Sequence, residues 1–353
     1  MQFAQSPEFI PYARAHSIAD RNLLVVDSPY PRGLNLTHLY SDRVPKEVRA
    51  NTSTETVLNW LALDTSAITQ LGGVPQYVTC NHWDIDGFLA VWAAMHPRIA
   101  LKHRPELIAA AHLGDFREFD PATDYGIWAL KVCSLLNHVE RSTFCLPFGD
   151  LEDATVEHEI AVRKFEYFLP RFAQWLEKID HYRLMWEDEY HQVLSNIEQL
   201  RKPGAIEEIP EFDLSIVRSE LPLHYYASFN LARGGLIVSV VERAQYIEAE
   251  YKYETSVGRL DRQHDERIDL TAVAEQLNET ELSHDVRWVF DRLNEGGPIL
   301  RPEHRGKRLT REDRYQSLRY RIEKSPETTI SVETVVQKLK GALEQSRRVA
   351  VMR

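Results

Sequence analysis

One imidazole and two carboxylates alternate along the run Asn81-His82-Trp83-Asp84-Ile85-Asp86-Gly87. The run follows an apolar, β-leaning segment, Tyr77-Val78-Thr79-Cys80. It precedes Phe88-Leu89-Ala90-Val91-Trp92-Ala93-Ala94-Met95, which reads as a buried helix. In an extended backbone, residues i, i+2 and i+4 project to one side. His82, Asp84 and Asp86 are therefore expected to converge just beyond a strand end, with Gly87 permitting the sharp turn into the helix. A neutral imidazole beside two hard carboxylates suits Mn, Fe(II), Zn or Mg better than Ca, and manganese is the first expectation. Two carboxylates at this spacing can serve two ions. Without a cation, acids crowded there would repel each other. The plainer reading makes Asp86 a helix cap and His82 a hydrogen-bonded core histidine.

Further candidates lie on either side. Asp27 ends the strand-like run Leu23-Leu24-Val25-Val26, and His38 ends a second one, Gly33-Leu34-Asn35-Leu36-Thr37. Both are candidate metal ligands. Otherwise Asp27 begins a turn at Ser28-Pro29 and His38 bonds to a loop. In His112-Leu113-Gly114-Asp115-Phe116, Gly114 reads as a helix terminator, which places Asp115 in a loop as a candidate bridging ligand. His112 is a candidate catalytic group beside His82 and Asp86, or else a helix-end histidine favoured by the dipole. Farther along, His224 leads a strand-like run, and Gly296-Gly297 precedes Arg301. Adjacent glycines let backbone amides approach an anion, and an arginine clamps phosphate or carboxylate, so these four are candidate substrate contacts. A plain turn is the alternative at the glycines. No nucleophile triad, Walker loop or dinucleotide fingerprint stands out.

The elements that must position these residues read as α/β. Strands at 23–27, 33–38 and 76–81 alternate with helices, among them one opened by the capping-box pattern Thr52-Ser53-Thr54-Glu55 and others near 105–113 and 122–137. That alternation predicts a mainly parallel sheet, whose ligands gather outside the strand carboxyl ends. A helical stretch follows to about Leu200, with Pro170 expected to kink or divide it. The breakers of Arg201-Lys202-Pro203-Gly204 mark a linker. The remainder reads as a smaller α+β part with an antiparallel meander: His224–Asn230, Leu236–Val241 and a third strand from Tyr246. Helices follow near 269–277 and from Ser331. The expected division is a metal-binding α/β domain over 1–205 and a cap domain over 214–353.

The 353 residues are 43% hydrophobic and 27% charged, the balance of a globular protein. No stretch approaches the ~18 apolar residues of a membrane span. MQFAQSPEFIPYARAHS lacks a basic start and an apolar core. The three cysteines, Cys80, Cys133 and Cys145, form neither a disulfide framework nor a paired zinc site. A cytoplasmic setting without membrane association is expected. The net charge of −11 argues against general nucleic-acid binding. Residues 301–353 nonetheless carry 14 Lys+Arg against 7 Asp+Glu, a basic tail that would hold an anionic group, dock on the acidic body or form a solvated face.

His82-Trp83-Asp84-Ile85-Asp86-Gly87 resembles the first motif of the DHH phosphoesterase superfamily, a His-x-Asp-x-Asp-Gly loop after a strand. The resemblance covers about a dozen residues. It implies a two-domain, manganese-dependent phosphoester hydrolase in which His82 and Asp84 bind one metal, Asp86 the other, and Asp115 or Asp27 bridges. The Asp-His-His triplet that names the superfamily is absent; Asp180-His181-Tyr182 is the nearest string. Across about two thirds of its length the chain also resembles a bacterial family of unknown function, through Leu34–His38, Asn81–Gly87, Gly114–Phe116 and Tyr251–Thr255. That likeness implies a domain layout but no activity.

The combined reading is a metal-dependent hydrolase acting by metal-activated water on a small, nucleotide-like or peptide substrate, with phosphoester cleavage first. A homodimer is compatible with it. The alternatives are a metal hydrolase of C–N bonds (amide or guanidino) and a non-catalytic metal- or ligand-binding protein.

Overall fold

The computed structural model describes residues 6–39, 43–144, 154–253, 259–262, 266–293 and 297–351. The chain forms two compact units of mixed α/β structure. One is Met1–Tyr190 with Ser256–Gln263; the other is His191–Thr255 with His264–Arg353.

The first unit is built on a four-stranded parallel sheet. In chain order its strands are β1 (Glu8–Phe9), β2 (Leu23–Val26), β3 (Leu34–Leu36) and β4 (Tyr77–Thr79), and in space they run β1-β4-β2-β3. Leu23, Leu24, Val25 and Val26 are all fully buried. That is the unbroken apolar run of a strand covered on both faces. Because β2, β3 and β4 are parallel, their carboxyl ends lie on one edge. Asp27, His38 and the His82 run leave the sheet there.

Helices α1 (Ser53–Leu61), α2 (Thr65–Gln70), α3 (Ile85–Met95), α4 (Pro97–Lys102), α5 (Arg104–Phe116), α6 (Asp124–Phe144) and α7 (Ala154–Glu177) surround the sheet, and α8 (Arg183–Leu200) carries the chain onward. Thr52 caps α1 through a bond from the Glu55 amide, as its sequence foretells. α7 runs undivided through Pro170, which leaves a kink rather than a break as the expectation there. One expectation fails: α5 does not stop at Gly114 but continues to Phe116, ending at Arg117 in the left-handed region. Gly114 is there for packing. A Cβ on it would fall 2.5 Å from Cβ of Ile85, so the glycine lets α5 press against the start of α3.

Residues 259–262 belong to this first unit although they lie far along the chain. The Arg259 guanidinium bonds to Glu118 at 2.8 Å and lies over the Phe116 ring at 4.4 Å. Leu260 donates its amide to Asn51 Oδ1 at 2.7 Å, and Arg262 bonds to Glu118.

The second unit has a six-stranded mixed sheet. Its strands are β5 (Ile206–Ile209), β6 (Leu214–Ser219), β7 (Leu236–Val241), β8 (Tyr246–Tyr251), β9 (Val286–Phe290) and β10 (Ile299–His304), ordered β5-β6-β7-β8-β10-β9. The segment expected as the first meander strand, from His224, is instead a helix, α9 (Tyr225–Leu231). β6 and β7 pair in parallel, so the chain must cross over between them. This requirement overrides the β-leaning aromatic composition. Antiparallel pairing is confined to β5–β6 and the β7-β8-β10-β9 run. Helices α10 (Thr271–Thr280), α11 (Arg311–Arg314), α12 (Leu318–Glu323) and α13 (Val332–Val351) complete the unit. Val335, Val336, Leu339 and Leu343 of α13 join its core. No helix among the described residues is long and apolar enough to cross a membrane.

Candidate metal centre

Three strand ends and two helices bring six of the expected ligands together. Asp27 follows β2 with φ of 47°, a left-handed conformation that aspartate tolerates better than most residues. His38 follows β3, and His82 follows β4. Asp84 caps α3, accepting the Gly87 amide at 2.7 Å. Asp86 lies in the first turn of α3 rather than in extended chain, and Asp115 lies on α5 rather than in a loop. His82, Asp84 and Asp86 therefore converge through a strand-to-helix transition and not through strand alternation.

Asp27 stands between the two histidines. Its Oδ1 is 3.2 Å from His38 Nε2 and its Oδ2 is 3.5 Å from His82 Nε2. His38 Nε2 also lies 3.9 Å from Asp86 Oδ2, and His82 Nε2 lies 3.3 Å from Asp84 Oδ2. Each ring turns its other nitrogen to a carbonyl-type oxygen. His38 Nδ1 meets the Asn51 carbonyl at 2.8 Å, and His82 Nδ1 meets Asn81 Oδ1 at 2.6 Å. Those oxygens only accept, so in the neutral rings the proton sits on Nδ1 and the Nε2 lone pair faces carboxylates. This arrangement is repulsive unless a positive charge lies between. It is also how metal-binding histidines are held, with the outer N–H on a carbonyl. Two ligands about 2.1 Å from one cation are roughly 3.0–3.4 Å apart at right-angle to tetrahedral geometry. The Asp27–His38 and Asp84–His82 spacings fall in that range, Asp27–His82 lies just above it, and Asp86–His38, at 3.9 Å, lies beyond it.

The carboxylates are held with equal care. Asp86 is fully buried and accepts the amides of Ser53 (2.7 Å) and Thr54 (2.8 Å). These are unpaired N–H groups at the start of α1, where the helix dipole favours an anion. Ser53 Oγ donates to Asp27 Oδ1 at 2.7 Å and accepts the His38 amide. Among the described residues no donor bonds to buried Asp115 Oδ2, which lies 3.5 Å from His38 Nδ1. Gly87 is in helical conformation, so it serves no turn. A Cβ there would stand 3.0 Å from Asp27 Oδ2, 3.0 Å from Cys80 Sγ and 3.1 Å from Asp84 Oδ1. The glycine thus leaves a cradle between donor atoms.

Without a cation, protons balance this charge. Burial and the Asp27 charge push Asp86 up to about 6, and burial pushes Asp115 well above the usual range. Burial opposes a charged His38, yet Asp115 and Asp27 hold its pKa well above the ordinary value. Asp84 and Cys80 do the same for His82. Burial also works against an ionised Asp27, but the bonds and charges of His38 and His82 prevail and hold it well below the usual carboxylate range. Two sets of close donors result, Asp27–His38–Asp86 and Asp27–Cys80–His82, and Asp27 belongs to both.

The other candidates are engaged by other partners. His112, on α5, has Nε2 3.8 Å from Glu55. His224 caps α9 and takes the Tyr226 amide on Nδ1. Arg301 is fully buried in the second unit, bonded to Asp291 at 2.7 Å and Glu303 at 2.6 Å. Its guanidinium is engaged by carboxylates of its own sheet. Gly297 lies in a bend before β10, and Gly296 lies outside the described residues. Sequence reasoning missed Ser53, Asn51, Asn81 and Cys80. The capping box placed Ser53 at a helix start, but nothing local showed which acid that start faces.

The chain matches the Family of unknown function (DUF6687) over residues 5–352. It belongs to that family. No curated protein matches it. Among solved structures it is similar to "pGpG-specific phosphodiesterase - PggH from Vibrio cholrae", at 8% identity and a TM-score of 0.33, covering 95% of this chain and 90% of that one. A likeness at that level carries no chemistry across.

Proposed function

We propose that this protein is a metal-dependent phosphoester hydrolase whose centre holds two divalent cations with Asp27 between them. The observation that carries the reading is the paired geometry of the histidines. Each has its Nδ1 on a carbonyl oxygen and its Nε2 toward carboxylates, and one Asp27 oxygen serves each ring. The resemblance of His82–Gly87 to the DHH phosphoesterase motif supports the same class. Cations held there would polarise a phosphoryl oxygen and make water acidic enough to attack near neutral pH; centres with two ions about 3.5–4 Å apart recur in phosphoryl chemistry.

The chain's own residues divide the work. His38, Asp27 and Asp86 form the buried end, and the bonds from Ser53 and Thr54 fix them. The side chains of His82 and Asp84 are 35% and 36% exposed, so substrate approaches from their side. Asp84 keeps one oxygen on the Gly87 amide; its other oxygen, 3.3 Å from His82 Nε2, would accept a proton from attacking water. The substrate is a small or nucleotide-like phosphoester, and the setting is the cytoplasm.

The test is to load purified protein with Mn, Zn, Fe(II) or Mg and offer phosphomonoesters, phosphodiesters and short dinucleotides beside amides and guanidino compounds. Metal-dependent release of phosphate or nucleotide, abolished in Asp27→Asn, is expected. Release of ammonia or urea instead would move the reaction to the C–N class. Metal binding without turnover across the whole panel would refute the enzymatic reading.

A further inference from the structure

The two donor sets around Asp27 differ in chemical character. The His38 set offers an imidazole and two carboxylates, with Asp115 beside it. The His82 set is closed by a sulfur. Asp27, Cys80 and His82 each present a ligand atom within 4.8 Å of the others. Cys80 directly follows β4 and is 3% exposed. Its Sγ lies 3.3 Å from the His82 carbonyl and 3.5 Å from Ser28 Oγ. The Gly87 cradle places the same sulfur on the wall shared with Asp27 Oδ2 and Asp84 Oδ1. The other described cysteine, Cys133, is buried on α6 and bonds to the Ala110 carbonyl, away from this cluster.

We infer that Cys80 is a metal ligand, and that the position it shares with His82 and Asp27 takes a thiophilic cation of the zinc, cobalt or iron(II) type rather than magnesium or manganese. The inference rests on the two-cation reading and deepens it. Thiolates select zinc-like ions, whereas carboxylate and water ligands suit manganese and magnesium. The centre is therefore asymmetric, with a nitrogen–sulfur position at the half-exposed end and a nitrogen–oxygen position at the buried end. Loading is a simple exchange. The Cys80 S–H bond breaks, its proton passes to solvent, and the sulfur donates the freed electron pair to the divalent ion. No oxidant or reductant takes part.

The test uses cobalt(II) as the probe on metal-free, full-length protein. Visible d–d bands report binding as such, and a near-ultraviolet band reports a sulfur–cobalt bond. Wild-type protein is expected to show both. Cys80→Ser is expected to keep the visible bands, lose the near-ultraviolet band, and bind zinc at this position at least about tenfold more weakly, since even supporting residues of metal ligands are worth 10–100-fold. The double variant Cys133→Ser/Cys145→Ser is expected to keep the band, and does not depend on how Cys80→Ser folds. Visible bands without a sulfur band in wild type would overturn the Cys80 assignment and leave the two-cation reading standing. A sulfur band that survives Cys80→Ser would overturn it too. No cobalt bands at all would overturn the metal centre itself.

Discussion

Removing and restoring the cation while the pH is changed tests the electrostatics of the site directly. The groups facing Asp86 are Asp27, Asp84, Asp115 and His38. Burial first, then the Asp27 and Asp84 charges, prevail over the opposing His38 charge and Thr54 bond and keep a proton on Asp86 up to about pH 6, against an ordinary value of 3.8. A raised carboxyl pKa contributes stability that is complete below about pH 4 and is lost as pH rises through 6. At 1.4 kcal/mol per pH unit this is on the order of 3 kcal/mol. The raised histidines act in the same direction, since their contribution is lost as pH rises through their folded values. Asp27, held low, does not change between pH 5 and 7.5. The metal-free protein should therefore lose stability between those two values. A cation at 100 times its Kd returns about 2.7 kcal/mol. For a unit of roughly 200 residues, each kcal/mol moves Tm by about 2–4 °C, so loading at pH 7.5 should raise Tm by about 5–11 °C. At pH 5 about nine in ten Asp86 side chains carry the competing proton. Affinity then falls roughly tenfold, or 1.4 kcal/mol, and the gain shrinks to about half. Differential scanning calorimetry with and without zinc or manganese, at both pH values, reads this. A shift at pH 5 equal to or larger than that at pH 7.5 would refute the argument, as would no shift at either.

Asp27→Asn keeps the left-handed backbone that Asp27 occupies but removes the shared anion, so bound metal measured by elemental analysis should fall from about two ions to none, whereas Asp84→Ala should spare the His38 position. Ser53→Ala deletes the bond to Asp27 Oδ1 and the acceptor of the His38 amide; calorimetric titration should show metal affinity down about 10–100-fold with little change in helix content. Gly114→Ala forces a methyl to within 2.5 Å of Ile85 and should cost about 1–3 kcal/mol in chemical denaturation, with metal affinity falling as Asp115 is displaced.

Much of the first unit was legible because its signals are local. Leu23–Val26 announces a doubly covered strand, and Asp27, His38 and His82 stand where parallel strands stop, so topology alone gathers them. Asp115 reached the cluster by a different route from the expected one. A glycine read as a helix stop is a packing contact within the helix, and that contact sets the aspartate beside His38. Ser53, Asn51 and Asn81 act through backbone or amide bonds whose partners lie 13 to 33 residues away or depend on a ring orientation, and no spacing rule encodes them. Arg301 and His224 look like anion contacts in sequence. In the fold, carboxylates of the same sheet engage the first, and a helix start engages the second.

The membership of residues 259–262 in the first unit has a consequence for the order in which the protein can be made. The chain leaves that unit near Tyr190 and returns only after His191–Thr255. At about 5–20 residues per second, a ribosome adds those intervening residues in roughly 3–13 s. Every proposed ligand has been synthesised by then. Asn51, which orients His38, still awaits the amide of Leu260, and Phe116, 6.0 Å from the His38 ring, still awaits the cover of Arg259. Final closure around the proposed metal centre would thus be a late event in biogenesis, and a nascent chain or fragment ending near residue 205 would carry all the proposed ligands without the strap that braces them.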